Sequence, residues 1–260
     1  MNYQKSFNMY KKHLSILFIS FFSLCVIAQN RIDENGNKQG QWKKTYPRSI
    51  AVQYEGKFKD DKPVGTFKYY YPSRKIQEII KHDENSNRSY AEFFHESGNT
   101  LSKGMYINMK KDSIWKNYAP SGRLSSTETF KNDTLNGLKI IYYLPEDLYN
   151  KNKTIASKTY YKNGKVEGEK IEYFDTGIIK TQGNFENNAK HGVFITNHPN
   201  GKVMNLERYK NGILHGWCIV KDGAGKETSR VYYYNGERLE GKKLEQKLQY
   251  LKSKGINPNE

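Results

Sequence analysis

The sequence predicts an all-β protein: an elongated, single-layer antiparallel β-meander of hairpin repeats about 24 residues long, ended by a C-terminal amphipathic capping helix. Three observations predict it. A glycine anchor returns at a nearly fixed interval. Apolar residues between anchors alternate with period two, the strand period. The links between alternating runs are written in turn-forming residues.

The anchor is the last glycine of the stretch Tyr161–Gly168, which reads Tyr-Lys-Asn-Gly-Lys-Val-Glu-Gly. Anchors fall at Gly40, Gly65, Gly137, Gly168, Gly192, Gly216 and Gly241, with Ser89 and Ser113 at the two remaining steps. The steps are 25, 24, 24, 24, 31, 24, 24 and 25 residues. A self-similar period of this size marks a repeat architecture, in which each unit completes its core against its neighbours.

Each interval reads as two strands and two turns. At even offsets from the anchors stand Trp42, Tyr46, Phe67, Tyr69, Tyr71, Ile141, Tyr143 and Phe194. The first strand runs into a Pro-x-Gly turn, with Pro47, Pro72, Pro120 and Pro199 seven residues past their anchors and Gly98, Gly122, Gly177, Gly201 and Gly225 nine past theirs. Proline presets φ at the turn entry, and glycine takes the left-handed conformation that closes it. The second strand ends on Phe58, Tyr106, Phe130, Tyr161, Phe185, Tyr209 or Tyr233, with His82 in the same slot. Two residues later comes Asn or Asp, commonly as Asn-Gly, a tight-turn signal.

Three departures stand out. Ser89 and Ser113 replace anchor glycines, so the middle repeats are degenerate. The long step holds seven extra residues around 144–154, and such insertions map to loops, often on a functional edge. After Gly241 the period stops, and Leu244, Leu248 and Leu251 recur at helical spacing before Gly255 and Pro258. The chain divides into a leader at 1–28, a repeat array at 29–241, and a capping helix with its tail at 242–260.

The leader has the layout of a secretory signal peptide: a basic head at Lys5, Lys11, Lys12 and His13, an apolar run from Leu14 to Ile27, and the small-residue pattern Val26-Ile27-Ala28. The run is short for a bilayer span, which needs roughly 20 residues. Leu24 stands directly before Cys25 where a lipoprotein signal has a small residue, so lipidation is the weaker reading. Export to the periplasm or beyond is expected, with no transmembrane segment left after cleavage. Removal of the leader leaves Cys218 alone, which excludes an internal disulfide.

The formal charge of +16 becomes +13 without the three leader lysines. A surplus of this size attracts anionic surfaces such as lipid headgroups or acidic polysaccharide. Lys131, Lys162 and Lys210 flank turns, however, where lysine keeps sheet edges apart. Export disfavours nucleic acid as the partner.

No catalytic, cofactor or metal site is expected. His191 and His215 directly precede anchors, His198 occupies the Tyr46 and Tyr71 slot, and His95 stands isolated. Glu128 and Glu207 share a repeat offset but lie several strands apart, too far for a carboxylate pair. Cys218 shares the Trp42 and Trp115 slot and reads as core. No G-x-S-x-G, H-E-x-x-H or P-loop string occurs. One candidate interaction row remains, at the fifth residue past the anchor: Tyr70, Phe94, Tyr118, Tyr142 and Tyr173. Odd offsets face away from the even set, so this row lines the opposite face, its members about 9–10 Å apart. It reads either as a platform for a partner, glycan or peptide or as cross-strand packing. The row ends at Asn197 and Lys221.

From Asn35 to Gly241, and most strongly from Tyr160 onward, the pattern Tyr-x-Asn-Gly-x-x-x-Gly-x-x-x-x-Tyr-Phe-x-x-Gly ending at Gly177 resembles MORN repeats, in particular the bacterial MORN-variant family often labelled antitoxin components. The resemblance implies a single-layer β-meander that scaffolds proteins or meets acidic lipids, and the label implies neutralisation of a partner toxin. An exported chain departs from a cytoplasmic antitoxin. The expectation is therefore an exported, non-enzymatic interaction module of the cell envelope with a protein partner. Neutralisation of a toxin and binding of an anionic surface are the alternatives.

Overall fold

The structure, a computed structural model, describes residues 29–144 and 154–259. The expected leader at 1–28 and nearly all of the 144–154 insertion lie outside the described residues.

The strands follow one another as β1 (Arg31–Ile32), β2 (Lys38–Thr45), β3 (Val52–Lys59), β4 (Lys62–Tyr70), β5 (Ile76–His82), β6 (Arg88–Phe94), β7 (Thr100–Ile107), β8 (Lys110–Tyr118) and β9 (Leu124–Lys131). They continue as β10 (Thr134–Tyr142), β11 (Ile155–Lys162), β12 (Lys165–Tyr173), β13 (Ile179–Glu186), β14 (Ala189–Asn197) and β15 (Val203–Lys210). β16 (Ile213–Leu214), β17 (Gly216–Lys221), β18 (Glu227–Tyr234), β19 (Glu237–Leu239) and helix α1 (Gly241–Ser253) complete the chain. All 19 strands form one antiparallel sheet. Each strand pairs with its neighbours in sequence, and both β16 and β17 pair with β15, so the expected meander is the fold. At about 4.8 Å per strand, the ribbon is roughly 80 Å long.

The Asx turns build one long edge of the ribbon. Asp60–Asp61, Asn132–Asp133, Asn163–Gly164 and Asn211–Gly212 all have positive φ at both central residues. That is the type I′ geometry whose twist matches a hairpin. The second central N–H donates back to the preceding repeat: Asp133 to Lys111 O at 2.9 Å, Gly164 to Leu135 O at 2.8 Å, and Gly212 to Lys190 O at 2.8 Å. Turn chemistry thus joins repeats as well as strands.

The anchors turn the strand through a left-handed residue that shifts the register. Ser113 accepts that conformation at φ 60°, despite the cost of a Cβ there. Ser89 does not: it is absent from the left-handed residues, its pairing with His82 runs on without a shift, and its hydroxyl lies 2.8 Å from His82 Nδ1.

The main core lies on the face formed by even offsets. Phe67, Ile80, Ala91 and Trp115 are buried, with Tyr54, Phe58, Tyr69, Phe93, Tyr106 and Phe130 packed around them. A single layer can bury a Trp completely because its ring lies flat on a glycine of the preceding strand. A Cβ on Gly104 would come within 2.4 Å of the Trp115 ring, on Gly56 within 2.4 Å of Phe67, and on Gly183 within 2.5 Å of Phe194. The glycine supplies a seat that no other residue leaves open. Where the preceding strand offers a side chain, the next carries no ring: Ile80 faces Ala91, Glu128 faces Lys139, and Thr159 faces Lys170.

A lysine two residues before the anchor covers several of these rings. Lys111 Nζ lies 4.4 Å from the Trp115 ring centroid, and Lys190 Nζ lies 4.8 Å from Phe194. In the ring-free repeats the two positions exchange character, with Leu135 before Lys139 and Val166 before Lys170.

The capping helix sits on the opposite face. Leu251 is buried with Tyr232 and Leu239, and Leu244, Leu248, Trp217 and Tyr234 surround them. Tyr232 pairs with Trp217, at the first offset past its anchor, so α1 covers odd-offset residues of the last hairpin. The tail follows the helix over the same region, where Pro258 O accepts from Tyr232 OH at 3.0 Å and Asn259 Oδ1 accepts from Trp217 N at 3.2 Å.

Candidate interaction surface

The odd face is built by direct cross-strand pairs. Through its middle runs the third residue past each anchor, with the residues paired to it. In the N-terminal half this row is charged except at Ile79: Lys43 pairs Glu55, Glu55 pairs Lys68, Lys68 pairs Ile79, Ile79 pairs Glu92, Glu92 pairs Lys103, and Lys103 pairs Lys116. From β10 onward it turns apolar. Ile140 pairs Lys158, which pairs Ile171; Ile171 pairs Gln182, which pairs Ile195; Ile195 pairs Leu206, which pairs Ile219. These aliphatic residues are half-buried, and Val193 beside them is 44% exposed. Among the described residues, no second sheet lies over this face, and α1 covers only its C-terminal end.

The aromatic row read from the sequence lies on the odd face, along the Pro-x-Gly edge. Tyr70, Phe94, Tyr118, Tyr142 and Tyr173 each end a strand, and each marks a register shift. All five are half-buried rather than bare. Tyr70 OH donates to Glu55 Oε1 at 2.6 Å, and burial followed by that bond pushes its pKa up to about 12. Lys103 Nζ lies 5.6 Å from the Tyr118 ring and Lys158 Nζ lies 5.8 Å from Tyr173. Three of the five rings, Tyr70, Tyr118 and Tyr173, are therefore already engaged by a carboxylate or a neighbouring lysine.

The backbone of the same row holds successive repeats together. A donor at the sixth residue past an anchor bonds the carbonyl of the fifth-offset residue in the next repeat: Tyr46 OH to Tyr70 O at 2.6 Å, Tyr71 OH to Phe94 O at 2.8 Å, and Tyr143 OH to Tyr173 O at 2.6 Å, while Ala119 and Phe174 offer no donor in that slot. His198 Nε2–H makes the equivalent bond to Lys221 O at 3.0 Å, which explains a histidine in a tyrosine slot. His95 is not isolated as the sequence suggested. Its Nε2–H reaches Tyr118 O at 3.4 Å, because Ser89 counts as its anchor even without a left-handed turn.

The remaining titratable candidates take structural places. His215 Nδ1 lies 3.1 Å from Asn235 Oδ1 within a turn, and His191 Nδ1 lies 3.5 Å from Glu186 Oε2. Glu128 binds Lys139 at 2.8 Å, six strands away from Glu207 on β15. Cys218 is half-buried, and that burial raises its thiol pKa. Among the described residues, no three of His, Cys, Asp and Glu converge, and no helix is long and apolar enough to cross a membrane.

The sequence reading missed two things. The isoleucine row required the same count from the anchor that found the fifth-residue row, applied at the third residue. The glycine seats required pairing two strands, since Gly56, Gly104 and Gly183 have meaning only beside Phe67, Trp115 and Phe194.

Comparison with known proteins matches the MORN repeat variant family at residues 153–170, 166–187 and 190–211. These three segments cover β11 through β15, where the repeat is most regular. MORN repeats are in general non-enzymatic modules that bind proteins or lipids. No curated protein matches the sequence. Among solved structures, one described as TarM is 10% identical with a TM-score of 0.28, covering 41% of this chain and 20% of that one. A mutant of S. aureus TarM in complex with Fondaparinux, alpha-GlcNAc-glycerol and UDP is 12% identical with a TM-score of 0.21, covering 49% of this chain and 19% of that one. The chain spans about a fifth of those structures' length, and likeness at such scores carries no argument. Residues 153–211 thus match the MORN repeat variant, and the hairpin unit matched there is the one that the described sheet repeats from end to end.

Proposed function

We propose that this protein is an exported interaction module of the cell envelope, which binds a protein partner on the odd face of its sheet. The observation that carries the reading is the apolar row from Ile140 to Ile219, half-buried on a face that no other described layer covers. A soluble β-sheet that has already placed its main core on one face usually makes the other polar. Keeping a row of isoleucines there, with Lys158 and Gln182 between the first three, makes sense if something else covers it. The stitched edges favour a presenting surface, since turns and side-chain donors bond each repeat to the next. The leader at 1–28 is the basis for export, and the absence of an internal cysteine pair in the mature chain fits a fold held by repetition.

Capture of envelope proteins by the purified chain tests the reading. Val193→Glu should remove captured proteins, while Tyr118→Ala and Tyr142→Ala should weaken capture through the neighbouring row. An unchanged set of captured proteins with all three variants contradicts odd-face binding. Recovery of the chain in the cytoplasmic fraction with residues 1–28 intact contradicts export.

A second reading has its own observation. Lys43, Lys68 and Lys116 share the N-terminal part of the same ladder and are exposed, so an anionic surface could meet that half. Binding to acidic vesicles that weakens steeply with added salt supports it, because exposed charges are screened beyond about 8 Å at physiological ionic strength.

A further inference from the structure

We infer that the odd face of β10–β17 receives an amphipathic helix from the protein partner, a helix with aliphatic residues inward and acidic residues on its flanks. The inference rests on the interaction-module reading and specifies what that module recognises.

The first argument is continuity. The chain already lays a helix on this face: α1 places Leu251 against Tyr232 and Leu239, with Trp217 at the margin. Trp217 and Ile219 are alternate residues of β17 and point the same way, so the surface under α1 runs directly into the isoleucine row. One helix and the sheet bury their leucines here, and the adjoining surface of the same character has no such cover among the described residues.

The second argument is spacing. Successive isoleucines stand two strands apart, about 9.6 Å. A helix rises about 10.5 Å in seven residues. A helix running along the row therefore meets Ile140, Ile171, Ile195 and Ile219 with side chains roughly a heptad apart. Six strand steps separate Ile140 from Ile219, a length of roughly 29 Å, which a helix of about 20 residues covers.

The third argument is charge. Lys158 stands within the row, Arg208 pairs Val193 beside it, and Arg230 pairs Ile219 at its end. Glu227 already holds Arg230 through two bonds, of 2.6 and 2.8 Å, and Arg208 donates to Trp217 O at 2.5 Å. Glu169 stands exposed at the same offset as Val193 and offsets one of these cations, so Lys158 and Arg208 leave a small basic surplus beside the apolar strip. A second copy would set this surface against its own lysines and arginines, and a second α1 would bring Lys242, Lys243, Lys247 and Lys252. Acidic flanks on a foreign helix complement the face.

Photocrosslinking in the producing cells tests the inference on the full chain. A photoreactive residue is placed at Ile171, at Ile195, and at the even-face control Lys170, and the crosslinked residues of the captured protein are mapped. The expected result is capture from Ile171 and Ile195 at positions about seven residues apart in one acidic-flanked segment, with little capture from Lys170. That segment, made as a peptide, should be helical when bound and should bind an Ile171→Glu, Ile195→Glu variant at least ten-fold more weakly. Crosslinks to an extended segment, to a second copy of the chain, or to lipid overturn the helix while leaving odd-face binding in place. Capture from Lys170 alone, or from none of the three, overturns odd-face binding as well. A matching melting temperature for the crosslinker-bearing chains and the parent excludes misfolding as the cause of a negative result.

Discussion

The two halves of this sheet divide their apolar residues between the faces differently. From β2 to β9 the apolar mass lies on the even face, where Phe67 and Trp115 seat on glycines and the odd face carries Lys43, Lys68 and Lys116. From β10 to β17 the even face holds Lys139, paired with Glu128 of β9, and the Lys170–Glu172 pair before its rings resume at Phe185, Phe194 and Tyr209, and the odd face takes the isoleucine row. The change falls between Trp115 and Ile140, within neighbouring repeats. The backbone does not register it: strand lengths, turns and pairing run on unchanged. Period-two alternation decides that there are two faces. Which of them is dry is decided by the cross-strand neighbours, because a ring needs a glycine beside it, and the isoleucines gain an aliphatic partner only at Leu206.

The comparison can be broken most severely at a glycine seat. Gly104→Ala places a Cβ inside the Trp115 ring and should cost about 3 kcal/mol, at the upper end of overpacking effects. Thr159→Ala, at the same repeat position in the ring-free half, should cost about 1 kcal/mol. Adding Trp115→Leu to Gly104→Ala should cost less than the two changes separately, since they share one contact. Urea midpoints measure all three. Equal losses at Gly104 and Thr159 would contradict the seat.

Next come the bonds between repeats. Tyr71→Phe removes the donor to Phe94 O and should cost about 1 kcal/mol, whereas Phe174→Tyr would install the same donor in a slot where β12 has none. Hydrogen exchange at the Pro-x-Gly edge measures each. Faster exchange near Phe94 is expected for the first, and slower exchange near Lys180–Asn197 for the second.

The anchors give a smaller effect of opposite signs. Ser113→Gly should stabilise by up to about 1 kcal/mol, because φ 60° suits glycine. Ser89→Gly should destabilise, because Ser89 is not left-handed and its hydroxyl contacts His82. Matching shifts in the two variants would contradict the difference read between them.

Acid separates the halves more gently still. Glu172 has a lowered pKa, chiefly through its bond with Lys170, and also accepts from Thr181. Its contribution is present above the unfolded pKa and is lost as pH falls through the lower folded value. Glu78 pairs with Tyr69 and Phe93, and burial raises its pKa. A raised carboxyl costs stability when ionised, and that cost is relieved as pH falls through its folded value. Glu172→Gln should therefore flatten the acid loss, and Glu78→Gln should raise stability at neutral pH. Unfolding followed from pH 7 to 3 reads both.

Much of this architecture is legible along the chain. The anchor count gives the meander, Asn-Gly and its relatives give the type I′ turns, and Leu244, Leu248 and Leu251 give α1. The aromatic row is legible in position, but its engagement is not. That Tyr70 hands its hydroxyl to Glu55, or that Tyr46 bonds the next repeat's carbonyl, depends on contacts 15 and 24 residues away. His95 looked isolated for the same reason: its meaning lies in the distance to Tyr118 O rather than in its neighbours. The isoleucine row can be counted from the anchors, but which residues stand between its members, Lys158 and Gln182 among them, depends on the strand pairing.

One measurement tests the central claim most directly: partner capture by two pairs of glutamate substitutions on the same ladder, Ile171→Glu with Ile195→Glu against Lys68→Glu with Lys116→Glu, each checked for an unchanged melting temperature. The odd-face account predicts that the first pair reduces capture at least ten-fold and that the second leaves most of it. Loss of capture only with the lysine pair would move the binding surface to the N-terminal half, and full capture by both would remove it from this face altogether.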